Sequence, residues 1–111
     1  MLTLQHRDRE LKIVWSLTSN ASEDLAEFVQ IHEIKKEDLI ERCCFYFLGK
    51  KEISLQLWRA LLASLQILLD RHIKLIFICT DTTVEATLRG FGFYLLGEIR
   101  LEPTAEVGSI N

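Results

Sequence analysis

Apolar positions recur along this chain with two different periods, and the alternation between them predicts the elements. Leu2 and Leu4 alternate with polar neighbours, and Leu11, Ile13, Trp15 and Leu17 do so again, the spacing of half-buried strands. The charged group Arg7, Asp8, Arg9 and Glu10 separates the two runs, so an opening hairpin is expected, although its turn lacks glycine. Ser19, Asn20 and Ser22 read as a turn and a cap, with Ser22 preceding Glu23 and Asp24, acids suited to the positive end of a helix. Leu25, Phe28, Val29 and His32 then follow at i, i+3, i+4 and i+7, predicting an apolar helical face. Residues 28–31 alone could be read as strand; the wider spacing is helical.

Residues 43–48, Cys-Cys-Phe-Tyr-Phe-Leu, are continuously apolar and suit an interior strand. Gly49, Lys50, Lys51 and Glu52 connect it to Ser54, the expected N-cap of a long helix over 55–70. Trp58, Leu61, Leu62, Leu65, Leu68 and Leu69 make its apolar stripe, with Gln56, Arg59 and Gln66 toward solvent. A second interior strand is expected over 75–79. Thr80, Asp81, Thr82 and Thr83 offer N-caps for a short helix carrying Val84 and Leu88, and Thr82 with Glu85 has capping-box spacing. Gly90 and Gly92 end it, and Phe93, Tyr94, Leu95 and Leu96 with Ile99 predict the last strand.

The order is therefore β-β-α-β-α-β-α-β. Right-handed crossovers make the connected strands parallel, so the expectation is one small α/β domain over 1–103, a mixed, largely parallel sheet with helices packed on it. Residues 104–111 are expected to be a tail or a frayed helix.

Composition narrows the function. Half the residues, 49%, are hydrophobic, enough for a packed core, and the formal net charge is -3. The densest basic runs, Lys35–Lys36 and Lys50–Lys51, are each followed at once by acids, so no stripe for a phosphate backbone is expected. No apolar run approaches the ~20 residues of a helical membrane span, and a cytosolic location is expected. Cys43, Cys44 and Cys79 fit neither a disulfide framework nor a metal set, since adjacent cysteines on a strand face opposite ways. They read as small buried hydrophobes.

Candidate chemistry is sparse. Asp81 and Ser54, with the turn at Ser19, Asn20 and Ser22, fall at the carboxyl ends of the expected parallel strands, the usual ligand side of such sheets. Asp81 and Ser54 are each sufficiently explained as helix caps. His6, His32 and His72 lie in different elements without metal-ligand spacing. Neither a catalytic residue, nor a metal, nor a cofactor is expected.

The order of elements and the stretches Tyr46-Phe47-Leu48-Gly49 and Ile53-Ser54-Leu55-Gln56-Leu57-Trp58 resemble the STAS domain, the fold of bacterial anti-sigma factor antagonists. Phe47 and Gly49 stand where that family has its Leu and Gly, and Trp58 where it has the Leu of the following motif. Tyr46 and Ser54 replace its two acidic residues, Leu55 its phosphorylated serine, and Leu57 its glycine. Residues 61–96 resemble the family's leucine-rich helix, strand, Thr-rich cap and Gly-Phe helix end. Residues 61–98 are also similar to the C-terminal half of acyl-homoserine-lactone synthases and the wider GNAT acyltransferase fold, though the acyl-CoA pyrophosphate loop is missing.

The first resemblance implies a non-catalytic protein-binding domain whose partner is an anti-sigma-factor-like kinase or a transporter ATPase. Its docking face would comprise Ser19, Asn20, Ser22, Lys50, Lys51, Ser54, Leu55, Gln56 and Arg59. Leu55 cannot take a phosphate, so constitutive binding is expected, with Ser54 the alternative phosphosite. Leu55 and Trp58 together could form an exposed anchor, but the preferred reading places Trp58 in the core. The competing expectations are a homodimeric adaptor, motivated by a poorly protected last strand, and a reduced acyltransferase.

Overall fold

Period-two alternation at the N-terminus closes a hairpin. β1 (Leu2–Arg7) pairs antiparallel with β2 (Glu10–Ser16), Arg7 opposite Glu10 across a two-residue loop. Asp8 occupies its first position at φ 56°, a conformation usually left to glycine. The computed structural model describes residues 2–16, 28–34, 39–49 and 53–103. Ser19, Asn20, Ser22, Lys50 and Lys51, and the tail over 104–111, lie outside the described residues.

β3 (Arg42–Leu48), β4 (Lys74–Cys79) and β5 (Gly97–Leu101) follow β2 in parallel, giving a five-stranded sheet in the order β1-β2-β3-β4-β5. The chain is a single α/β domain with a mixed, mostly parallel sheet and helices packed on it. Each crossover steps one strand further in the same direction, so right-handed connections put all helices on one face. There Leu11, Ile13 and Trp15 of β2, Cys43, Phe45 and Phe47 of β3, and Leu75, Phe77 and Cys79 of β4 form one cluster with the helices. The opposite face holds a smaller cluster of Cys44, Ile76 and Ile78 with Tyr46 against it. Cys43 and Cys44 thus belong to different clusters, as strand alternation requires.

The described part of the first helix is α1 (Val29–His32). The expected face is corrected here: Val29 and His32 are exposed, while Phe28 and Ile31 are buried and Ile34 packs on the core. α2 (Leu55–Asp70) begins at Ser54, whose Oγ accepts from the Leu57 N–H at 3.2 Å. It ends in a Schellman closure: the His72 N–H donates to Leu69 O at 2.9 Å and the Ile73 N–H to Leu68 O at 3.2 Å. His72 holds φ 58°, where an L-residue is strained by roughly 1–2 kcal/mol and glycine is not. His72→Gly should therefore raise stability by about 1 kcal/mol, part of the relief being lost to glycine's larger unfolded-state entropy. Urea unfolding of the two proteins checks it, and an unchanged or lower midpoint refutes it.

Asp81, not Thr82, caps α3 (Thr82–Gly90): its Oδ1 accepts from Thr83 N–H at 2.8 Å and Val84 N–H at 3.4 Å. Glu85 forms an ion pair with Arg89 instead of closing a capping box. Residues 93–96 are not strand. Gly92, at φ 81°, turns the chain into a 3-10 helix (Phe93–Leu95) that buries Phe93 and leaves Tyr94 and Leu95 exposed. β5 starts only at Gly97. Its exposed Glu98 and Arg100 form an ion pair at 2.7 Å, so this edge carries the protective charges that the sequence reading missed.

Candidate functional site

The carboxyl ends of β3 and β4 are tied by a threonine. Thr80 Oγ1 accepts from the Gly49 N–H at 2.9 Å and donates to Phe47 O at 3.4 Å, which fixes where the chain leaves β3 toward Ser54. Ser54 sits at the surface with its oxygen engaged as a cap. Leu55 is 52% exposed, and Gln56 and Arg59 are exposed beside it. Trp58 is only 2% exposed, in keeping with the core reading and against a part in an exposed anchor. Its indole instead joins an aromatic cluster, with ring centroids 5.5 Å from Phe91, 5.5 Å from Phe93, 6.1 Å from Phe47 and 6.5 Å from Trp15. Phe91, immediately after α3, is 44% exposed. Leu55 lies one helical turn before Trp58 on the same side of α2. Two large apolar side chains, Leu55 and Phe91, are thus exposed, and the Phe91 ring lies against the buried indole. Phe91 was not singled out from the sequence, where it reads as part of a Gly-Phe-Gly helix end.

Of the polar candidates at the carboxyl strand ends, Ser54 and Asp81 are described, and both are engaged as helix caps. Asp81 Oδ1 is engaged with the backbone of α3. His32 lies 3.2 Å from Ser64 Oγ, and because the buried Ser64 hydroxyl donates to Ala60 O at 3.1 Å, the His32 Nε2–H is the donor of that contact. This bond ties α1 to α2. Among the described residues, no group of three His, Cys, Asp or Glu is arranged to hold a metal ion. No helix among them is long and apolar enough to cross a membrane.

Burial governs the thiols. It pushes the Cys43 thiol well above its ordinary range, and the Cys79 thiol up to about 12. Both side chains are fully buried and free. A thiol reagent such as Ellman's at pH 8 should label neither cysteine in the native protein within minutes and should label both at once in denaturant, because the thiolate is the attacking species. Rapid native labelling of Cys79 would restore it as a nucleophile.

A second feature lies at the opposite end of the sheet, where the parallel strands begin. Gln5, Arg7, Asp8, Arg9, Glu10 and Lys12 of the hairpin line an open depression of about 650 Å³ with Glu41, Arg42 and Lys74. Strand register assembles it: Glu10 pairs with Arg42, and Arg42 with Lys74. The backbone reinforces this end, since the Glu41 and Arg42 N–H groups both donate to Arg9 O, and the Lys74 N–H donates to Glu41 O. Arg9 bonds to Glu41 at 2.7 Å, and Arg42 to Glu10. The hydrogen bond from Arg42 holds the Glu10 carboxyl below its ordinary range despite partial burial.

A scan against protein-family models gives no match for this chain, and comparisons with curated proteins and with solved structures give none either.

Proposed function

We propose that this domain binds another protein and performs no chemistry itself, docking through the start of α2 and the neighbouring turn after α3. The observation that supports this reading is two exposed apolar side chains, Leu55 at the start of α2 and Phe91 after α3, the latter with its ring 5.5 Å from that of buried Trp58. Large apolar groups exposed at a surface, with polar Gln56 and Arg59 following Leu55 on α2, have the make-up of an interface anchor and its rim. The resemblance to STAS domains supports the same location, because the corresponding helix start is the docking face in that family. By that analogy the partner is an anti-sigma-factor-like kinase or a transporter ATPase. Leu55 stands at the position of the family's phosphoserine and offers no hydroxyl, and Ser54 Oγ is already engaged as a cap. Binding is therefore constitutive, without the phosphate that would switch it through charge.

Affinity capture from the source cell, run in parallel with the wild-type chain and Leu55→Asp, tests the face. A partner retained by the wild type and lost by a folded Leu55→Asp variant is expected. Equal recovery by both would move the docking face elsewhere. Intact-mass measurement on the natural protein tests the missing switch, and a phosphate localised to Ser54 would end the constitutive reading.

A further inference from the structure

We propose that the depression at the amino ends of β2, β3 and β4 is a binding site for a small anion carrying two or more negative charges. Its lining holds five cationic side chains, Arg7, Arg9, Lys12, Arg42 and Lys74, against three carboxylates, Asp8, Glu10 and Glu41. That leaves an excess of two positive charges on a chain whose overall charge is -3. The excess is also locally available. Glu41 and Glu10 are each engaged by an arginine, Arg9 and Arg42. Arg7 and Lys74 make no ion pair of their own among the described residues, Lys12 shares with Arg42 the single charge of Glu10, and Asp8 on the turn opposes them with one charge. Cations left unneutralised at a shared concavity repel one another, and an anion seated among them removes that repulsion while gaining charge-assisted hydrogen bonds.

Size and chemistry restrict the ligand. A volume of about 650 Å³ lies within the range of small-molecule sites, well above what a single chloride fills. Every lining side chain is polar, so the ligand is itself polar over its surface and not a lipid tail. Arg7 brings a planar guanidinium fork suited to a phosphoryl or carboxylate group, while Lys12 and Lys74 act as point charges. Their excess of two matches a dianion or trianion. A long polyanion such as nucleic acid would run from this depression onto an acidic protein and lose the advantage. The shared chemistry is thus a compact polyphosphate or polycarboxylate. The site lies at the opposite end of the strands from Ser54 and Leu55, so it stands or falls independently of the docking face.

Calorimetric titration with pyrophosphate and with citrate, in low-salt buffer, tests the proposal. Saturable binding of at least one of them is expected, with affinity falling steeply as salt is added. Binding of both assigns charge recognition; binding of pyrophosphate alone or citrate alone assigns phosphoryl or carboxylate chemistry, and each outcome supports the site. In Lys12→Ala/Lys74→Ala the affinity should fall at least about tenfold, whereas Arg89→Ala/Arg100→Ala, which removes two cations elsewhere, should leave it within about twofold. Amide NMR on the wild-type chain gives a readout that does not depend on either variant folding: the ligand should shift signals of the hairpin turn, Glu41, Arg42 and Lys74. Absence of saturable binding by both anions, equal weakening in the two double variants, or shifts located elsewhere would overturn it.

Discussion

Gly97→Ala is expected to destabilise the domain by roughly 3 kcal/mol and to release β5 from the sheet, because overpacking against backbone has no side chain to yield. A methyl group built at this position would overlap the Leu75 carbonyl oxygen and sit 2.8 Å from its carbon. Gly97 pairs with Leu75 at the start of the β4–β5 ladder, so relief requires the two strands to separate where their pairing begins. Its φ is not among the positive ones, and the requirement comes from the neighbour, not from the dihedral angle. Two other glycines make internal controls. Gly90 has nothing within 4 Å and no positive φ, so Gly90→Ala should be neutral or slightly stabilising. Gly49 also has open space but holds φ +91°, so its alanine variant should cost only about 1 kcal/mol. Urea unfolding of the three variants gives the ranking, and hydrogen exchange at β5 amides shows whether that strand leaves first. A Gly97→Ala protein as stable as wild type would contradict the Leu75–Gly97 register.

The order of elements was legible because β2 alternates with period two and α2 carries a helical stripe, while β3 and β4 stand out as continuous apolar runs bounded by polar residues. It failed where tertiary packing sets a different choice. At residues 93–96 four apolar side chains in a row look like strand, yet Phe93 turns inward under Trp58 and Phe77 while Tyr94 and Leu95 face solvent. A strand would place Phe93 and Leu95 on one side. The 3-10 turn avoids this and delivers Gly97 to the one position where β5 can approach Leu75. Similarly, of the expected face Leu25, Phe28, Val29 and His32, Phe28 reaches the core while Val29 and His32 are exposed, and Ile31 is buried in their stead. Spacing gives a helix its period and leaves its rotation open until the sheet beneath is known.

The candidate sites divide in the same way. Ser54 and Leu55 could be found from local sequence, since a cap and the first residue after it are neighbours in the chain. Phe91 could not, because its approach to Trp58 depends on α3 crossing back over the sheet. The cationic depression was invisible for a sharper reason. The basic runs in the sequence, at 35–36 and 50–51, lie outside the described residues, and the cations that line the depression are isolated along the chain. Its cations come from three separate segments and meet only because β2, β3 and β4 start in register. The rule that ligands favour carboxyl strand ends also directed attention to the opposite side.

Trp58→Ala should cost about 3–5 kcal/mol, the usual range for emptying a large aromatic site in a core that relaxes only in part. Trp58 touches rings from β2, β3, the turn after α3 and the 3-10 helix, so its removal loosens four segments at once. That loss is a large fraction of a typical domain stability of about 5–15 kcal/mol and should lower the thermal midpoint by more than ~10 °C. Trp58→Phe keeps a ring in the cluster and should lose markedly less. The comparison bears on the proposed docking face through Phe91, whose exposed ring rests on the indole: truncating Trp58 withdraws the packing beneath Phe91 as well as part of the core. Lost partner binding in Trp58→Ala is therefore expected but indirect, whereas Leu55→Asp changes a half-exposed side chain and leaves the cluster intact. Circular dichroism melting of Trp58→Ala within a degree or two of wild type would mean that these rings do not support one another, and the Leu55–Phe91 surface would lose its rigid base.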